Sequence, residues 1–392
     1  NYLRLSAGVD VSGNDDLPYY ATRSYFASSD YMGQASGLAI AGIGNEKIQW
    51  ERTRRVNVGV DANLLDNRLG VRFNYFRSAT DHLLMWQEMS FLSGLDKTWG
   101  NGGKLENRGF DVEATGVVWA SPSWQWQVGA SVGHYKNEVT ALPDGQQYMD
   151  TEILGATVRT EIGRPANLFY GYKTKGVFAT SAEAQAAGLY VRDANGVDQT
   201  AFEAGDVHFV DLDGDHFVTE ADRTVIGDPN PDIYGNIFTT VQYRRFRLDV
   251  RFNYSLGNDI YNYMRQQLES GSRFMNQTTA LARRWQVEGQ QTDIPRLSFQ
   301  DPMGNSRFSD RWIEDGSYLR LKTVTLSYDL PISSTFLQGL QFWVQANNVF
   351  TLSRYLGTDP EGAALSAVLG QGIDAGSVPQ SRNFMVGIKI SL

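Results

Sequence analysis

The residues best suited to chemistry form one run, Asp211-Leu212-Asp213-Gly214-Asp215-His216-Phe217-Val218-Thr219-Glu220-Ala221-Asp222. An EF-hand-like Ca²⁺ loop takes oxygen ligands at its positions 1, 3, 5, 7 (through the backbone), 9 and 12. Asp211, Asp213, Asp215, the Phe217 carbonyl, Thr219 and Asp222 stand at those positions. Hard carboxylate oxygens in a tight loop suit Ca²⁺, and the apolar Val218 would anchor it. Two residues depart from the pattern: His216 stands where Gly normally permits the sharp turn, and Asp222 replaces a bidentate Glu. No helical periodicity flanks the run. The alternative is a metal-free loop whose aspartates bond backbone amides or water. A Ca²⁺ here would be structural, stiffening a long loop, and no other cofactor is expected.

Other chemistry is poorly specified. The histidines are His82, His134, His208 and His216, and only the loose His208/His216 pair approaches a metal-ligand spacing. They read as polar loop or rim residues. No nucleophile elbow or phosphate-binding loop is present. The run Gly100 to Gly103 continues into Lys104-Leu105 and reads as a loop turn, and Asp15-Asp16 and Glu314-Asp315 read as surface carboxylates. The chain is expected not to be an enzyme.

The elements that must position these residues are strands. The 392 residues include 39 Gly, 19 Tyr, 20 Phe and 9 Trp, with 12% aromatic and 42% hydrophobic residues. No apolar run approaches the roughly 20 residues of a membrane-spanning helix. A net charge of −9 argues against a nucleic-acid partner. The lack of Cys excludes disulfides, thiol catalysis and Cys-ligated zinc. The start at Asn1, without Met or a signal peptide, suggests a segment of something longer.

Period-two alternation recurs along the chain. Val56, Val58, Val60, Ala62 and Leu64 alternate with polar residues or Gly, as do Leu69, Val71, Phe73 and Tyr75. Phe110, Val112 and Ala114 repeat the pattern, then Trp124 through Val132, Phe246 through Tyr254, Leu340 through Ala346 and Phe384 through Leu392. Weaker cases begin at Leu3 and Ile233. Between Tyr318 and Tyr328 the apolar phase shifts, which a β-bulge near Lys322 would repair. Tight links fall at Asp66-Asn67, Ser121 to Ser123, Arg244-Arg245 and Pro331 to Phe336. Between them lie long segments read as irregular, approximately 11–47, 88–103, 140–231, 260–311 and 353–380. Short turns at one end and long loops at the other belong to an outer-membrane β-barrel of about ten strands. Trp124, Trp126, Tyr243, Phe246, Tyr328 and Phe342 cluster by the short turns, where an interfacial aromatic girdle is expected. A soluble β-sandwich alternates too, but explains the short/long rhythm badly.

Several clusters, in order, resemble the C-terminal half of the SusC/RagA family of TonB-dependent outer-membrane transporters of Bacteroidetes. They include Ile43-Gly44-Asn45, Gln49 through Thr53, Asn101 through Gly109, Gly171-Tyr172-Lys173, Asp222 through Gly227, Arg311 through Leu321, Asn347 through Phe350 and Asp359-Pro360-Glu361. The resemblance implies a barrel of about 22 strands, of which residues 1–392 would supply the C-terminal part. The plug and the remaining N-terminal barrel portion would come from elsewhere, and the TonB complex would act through that plug. It also implies a SusD-like surface lipoprotein partner, glycan or oligopeptide cargo and a lipid bilayer as surroundings. Residues 140–231 are then a long extracellular loop region carrying the acidic loop 211–222. Tyr19, Tyr20, Tyr25, Phe26, Tyr31, Trp86, Phe91 and Trp99, in or beside the first two long loops, are candidates for lid or cargo contact. The rival readings are a structural scaffold in an outer-membrane assembly and an omptin-like surface protease using His82 or His134.

Overall fold

The structure is a computed structural model that describes all residues except 32–34, 91, 93, 96, 193–197, 333–337, 363–369 and 392. Phe91, Leu392 and residues 333–336 of the last tight link therefore lie outside the described residues. The chain divides into two compact units: Asn1–Val118, Gln127–Met149 and Thr160–Ala166 form one, and Trp119–Trp126, Asp150–Arg159 and Asn167–Leu392 the other.

The first unit is an antiparallel meander of β1 (Tyr2–Asn14), β2 (Glu51–Leu64), β3 (Leu69–Glu88), β4 (Lys97–Ala120) and β5 (Trp124–Ala141), hydrogen-bonded in that order. Alternation puts Leu5 opposite Val60, Val60 opposite Phe73 and Phe73 opposite Val112, so one face is apolar across the strands. That face is not a core. Leu5 is 72% and Val9 76% exposed, and a contiguous open apolar surface of this kind is foreign to a soluble protein. The opposite face carries charge, Arg72 lying 2.8 Å from Asp61 and 3.4 Å from Glu113, whereas Arg77, in phase with Phe73, reaches Glu106 at 2.7 Å on the apolar side, farther from the short turn.

The second unit repeats the plan with β6 (Ile233–Tyr243), β7 (Phe246–Leu256), β8 (Tyr318–Leu330), β9 (Gly339–Ser353) and β10 (Asn383–Ser391). Leu248, Leu326, Val344 and Val386 line up on one face. Val344 is 47% and Val386 79% exposed. Arg251 pairs with Thr323 but Phe252 with Leu321, leaving Lys322 as the extra residue of the expected bulge. Arg244 takes φ 53° in the two-residue turn that joins β6 to β7. The girdle residues meet beside the short turns, Trp124 stacking 4.4 Å from Tyr243 and Phe246 4.6 Å from Tyr328 between ring centroids.

The segments read as irregular are largely ordered. β3 and β4 stay paired out to Glu88 opposite Lys97, so within 88–103 Glu88 and residues 97–103 are strand. Gly100 to Gly103 lies within β4 and is not a turn; a Cβ on Gly102 would come within 2.7 Å of Pro143. β4 runs 24 residues, far beyond the roughly 9–11 that cross a bilayer, and its excess extends the hairpin away from the short turns. Within 11–47, Tyr25–Tyr31 pairs with Ala35–Gly42. The stretches 140–231, 260–311 and 353–380 carry short strands and helices, because their apolar residues find partners far away in sequence.

Candidate functional site

In the second unit, strands Ala156–Glu161, Leu168–Tyr172 and Arg223–Gly227 pair side by side. Asp259–Asn262 joins Ile313–Asp315 and Ile373–Asp374, segments more than fifty residues apart. Two cores result. Ala156, Val158, Phe169, Tyr261, Phe308, Trp312 and Ile373 form one. The other gathers Tyr172, Phe178, Phe202, Val207, Phe209 and Val218 with α1 (Ser181–Ala187). Thr180 caps α1 by accepting the Glu183 amide, and Gly188 closes it at φ 60°. Next follows α2 (Tyr263–Glu269), capped by Asn262, which accepts the Arg265 amide.

Charged groups lock this assembly. Asp206 is fully buried and accepts from Nε and Nη2 of Arg296 at 2.9 Å each, from the Asn305 side-chain amide at 2.9 Å and from the Glu203 backbone amide at 2.9 Å. Arg265 pairs with Glu314 at 2.8 Å and Glu269 at 3.1 Å, so Glu314 is an internal anchor and not a surface carboxylate. Burial, with Arg265 close by, brings Arg311 down to about 10. Arg320 on β8 is bonded to Asp359, its Nη1 lies 2.7 Å from Glu361 without hydrogen-bond alignment, and Lys322 holds Glu361 at 3.1 Å. Sequence reasoning missed these pairings, whose partners are dozens of residues apart.

The acidic loop is well defined. Asp211, Asp213 and Asp215 each offer an oxygen within 4.8 Å of the others. His216 takes φ 66° and Gly214 φ 78°, so His216 makes the sharp turn that Gly usually supplies. Asp211 accepts the amides of Gly214 (2.7 Å) and His216 (3.0 Å), while Asp213 and Asp215 accept those of Asp215 and Phe217. Burial pushes Asp211 up, but the Gly214 and His216 amides outweigh it and hold its carboxyl below the usual range. The Asp215 amide pulls Asp213 down, yet desolvation and the carboxylates of Asp215, Asp222 and Asp211 leave it raised. Asp222 faces inward, fully buried, its oxygens taken by the amides of Leu212 and Thr219 at 2.8 Å each. Thr219 accepts the Ala221 amide at 3.2 Å. The structure thus brings three of the expected ligands together and sets Asp222 to bracing the loop.

The histidines are dispersed. His82 sits where the register of β3 shifts, its carbonyl accepting from Asn101 at 2.7 Å. His134 lies 5.7 Å from Phe110, and His208 stacks 4.3 Å from Phe178. Burial, reinforced by Lys175, holds His208 below its ordinary value. Of the loop aromatics, Tyr19, Tyr20, Tyr25 and Phe26 are exposed. Trp86 and Trp99 stack on each other at 4.3 Å, and Lys97 covers Trp86. The sequence reading passed over Phe274 and Phe299, paired at 5.0 Å and 95% and 59% exposed, beside exposed Met275 and Leu297. The apolar pairs Phe274-Met275 and Leu297 with Phe299 were the available signal.

Comparison with known proteins agrees with this architecture. Residues 6–214 match the model of the family described as TonB dependent receptor-like, beta-barrel. TonB-dependent receptor P3 of Formosa agariphila is 29% identical over 400 residues, covering 98% of this chain and 39% of that protein. TonB-dependent receptor SusC of Bacteroides thetaiotaomicron is 25% identical over 416 residues, covering 99% and 37%. The structure of the RagAB peptide transporter superposes with a TM-score of 0.79 at 26% identity, covering 99% of this chain and 40% of that one. The chain thus spans about two fifths of the length of these relatives. Its exposed apolar strand faces, charged opposite faces and aromatic girdle are those of an outer-membrane barrel wall. The chain belongs to the TonB dependent receptor-like, beta-barrel family, whose members are outer-membrane proteins.

Proposed function

We propose that this chain supplies barrel wall and outer loops to a SusC-like importer. It would take up glycan or oligopeptide together with a SusD-like surface lipoprotein. TonB would drive uptake through a plug belonging to the rest of the transporter, and no bond is made or broken along the way. The observation that carries this reading is the likeness to the RagAB peptide transporter over 99% of the chain. The surface around Phe274 and Phe299 supports a protein contact, since exposed paired aromatics beside apolar side chains mark recognition surfaces. Replacing both by Ser is expected to cut co-purification of the lipoprotein at least about tenfold, because losing two aromatic anchors costs about 2 kcal/mol or more. The test is quantitative pull-down from the native outer membrane, alongside growth on oligopeptide or glycan as sole nutrient after deletion. Unimpaired growth and assembly factors in place of the lipoprotein would favour a scaffold.

The acidic loop is proposed to hold a structural Ca²⁺ through Asp211, Asp213, Asp215, the Phe217 carbonyl and Thr219, with Asp222 bracing it from within. The crowding that raises Asp213 supports this reading. A carboxylate raised on folding opposes the fold at neutral pH, and a bound cation relieves the repulsion. Chelation should therefore expose 211–222 to protease and lower the melting midpoint by a few degrees, as expected for loss of a ligand bound only by the native state. Asp213→Asn should abolish the response to Ca²⁺. Equal melting with and without chelator would exclude the metal.

A further inference from the structure

The second unit contains a cleft of about 180 Å³ whose lining includes Thr157, Tyr170, Tyr172, Arg223, Arg307 and the exposed Glu152. Its lining carries two arginines and one carboxylate, Glu152, which accepts from Thr157. Arg223 is engaged, reaching Glu220 at 3.1 Å and Thr157 at 3.4 Å. Arg307 is not. Its Nη1 is enclosed with no hydrogen-bond partner, and it has no ion pair among the described residues. The guanidinium instead lies against two rings, 5.6 Å from the centroid of Tyr172 and 5.4 Å from that of Phe209. Aromatic faces orient a guanidinium but do not neutralise it; Asp301 and Asp222 act on it only from beyond ion-pair distance, and an enclosed charge without a direct partner is costly.

We propose that this cleft is a carboxylate-binding site in which Arg307, aided by Arg223, clamps a single carboxylate from a ligand. A guanidinium fork matches the planar carboxylate, and the two arginines converge from separate elements, Arg223 from the strand Arg223–Gly227 and Arg307 from the loop before Trp312. Glu152, which accepts from the Thr157 hydroxyl, adds a negative charge to the lining and works against polyanions. The cleft therefore selects a monoanionic group, such as a free carboxylate ion or the terminus or side chain of a peptide. Nothing in this site depends on transport.

The test measures the melting midpoint of the detergent-solubilised protein at constant ionic strength. The probes are sodium acetate, an N-acetyl dipeptide acid, the same dipeptide as its amide, and inorganic phosphate. The expected result is a dose-dependent rise with a carboxylate and none with the amide. Acetate acting alone identifies a free anion as sufficient, and a response confined to the dipeptide acid identifies a peptide carboxylate. Arg307→Met keeps the stacking on Tyr172 and Phe209 but removes the charge, and should weaken the apparent affinity at least tenfold. Arg223→Gln should weaken it several-fold and serves if Arg307→Met does not fold. No response to either carboxylate, an equal response to the amide or to phosphate, or undiminished binding in the variants overturns the proposal.

Discussion

Asp359→Ala is expected to destabilise the clamp between β8 and the loop 353–380 by about 3 kcal/mol, the low end for breaking a buried pair, because Arg320 loses its aligned carboxylate and keeps only Thr351 and the misaligned Glu361. The side chains of Arg320 and Asp359 are only 4% and 5% exposed, so water cannot replace the lost partner. Asp359 also accepts the amides of Gln380 at 3.0 Å and Glu361 at 2.9 Å, so its removal frees the loop at two further points. The measurement is limited proteolysis of intact outer membranes combined with the melting midpoint in detergent. Cleavage within 353–380 should rise sharply while the strands stay protected. The double variant Arg320→Met/Asp359→Leu removes both charges together and should recover most of the loss, since apolar replacement of a buried pair is often neutral. A single variant within about 0.5 kcal/mol of the parent would show that the pair is unimportant.

The same pair carries a pH dependence of definite sign. Burial pushes Asp359 up, but the Gln380 amide, Arg320 and the Glu361 amide outweigh it and hold the carboxyl below its ordinary value. A carboxylate depressed on folding stabilises the fold above its unfolded pKa, about 3.9, and that contribution disappears as pH falls through the lower folded value. Loop protection should therefore be flat at neutral pH and collapse only in strong acid, and Asp359→Ala should flatten that acid limb.

How much of this was legible depends on where each residue's partner lies. The strands were readable because alternation is local: Val56 to Leu64 announce a two-faced ribbon whatever sits beside them. Even the bulge at Lys322 showed, as a change of phase within one segment. The loop assembly was not readable as structure. Ile373–Asp374 is two residues long and pairs with Asp259–Asn262 more than a hundred positions earlier, so no periodicity could betray it. Arg320 and Asp359 each stood in a cluster that carried the family resemblance, but only the fold shows that the two clusters are one ion pair. The acidic loop was legible because its carboxylates lie within a dozen residues, but the inward turn of Asp222 was not, since it depends on the amides of Leu212 and Thr219. The exposed Phe274 and Phe299 escaped notice because a pair of apolar residues in a loop looks the same in sequence whether buried or bare.

Trp312→Ala should be comparably severe, about 3–5 kcal/mol, as expected for emptying the centre of a packed core. Trp312 is fully buried among Phe169, Tyr261, Phe308 and Ile373, and its indole N–H donates to the Arg307 carbonyl at 3.0 Å. The guanidiniums of Arg311 and Arg265 lie 4.7 and 5.5 Å from its ring centroid, so the indole is also a cation–π partner for both. Trp312→Phe keeps most of the ring contact and loses the hydrogen bond, worth about 1 kcal/mol, and should fall between parent and Ala. The strand faces that meet lipid do not involve Trp312, so the variant barrel should still insert and resist detergent. Its outer loops should become protease-sensitive, and the lipoprotein contact proposed above should fail with them. If the Ala variant kept parental loop protection, this core would not be what holds the outer assembly together. If insertion itself failed, strands and loops would be a single cooperative unit and the division into wall and outer assembly would be wrong.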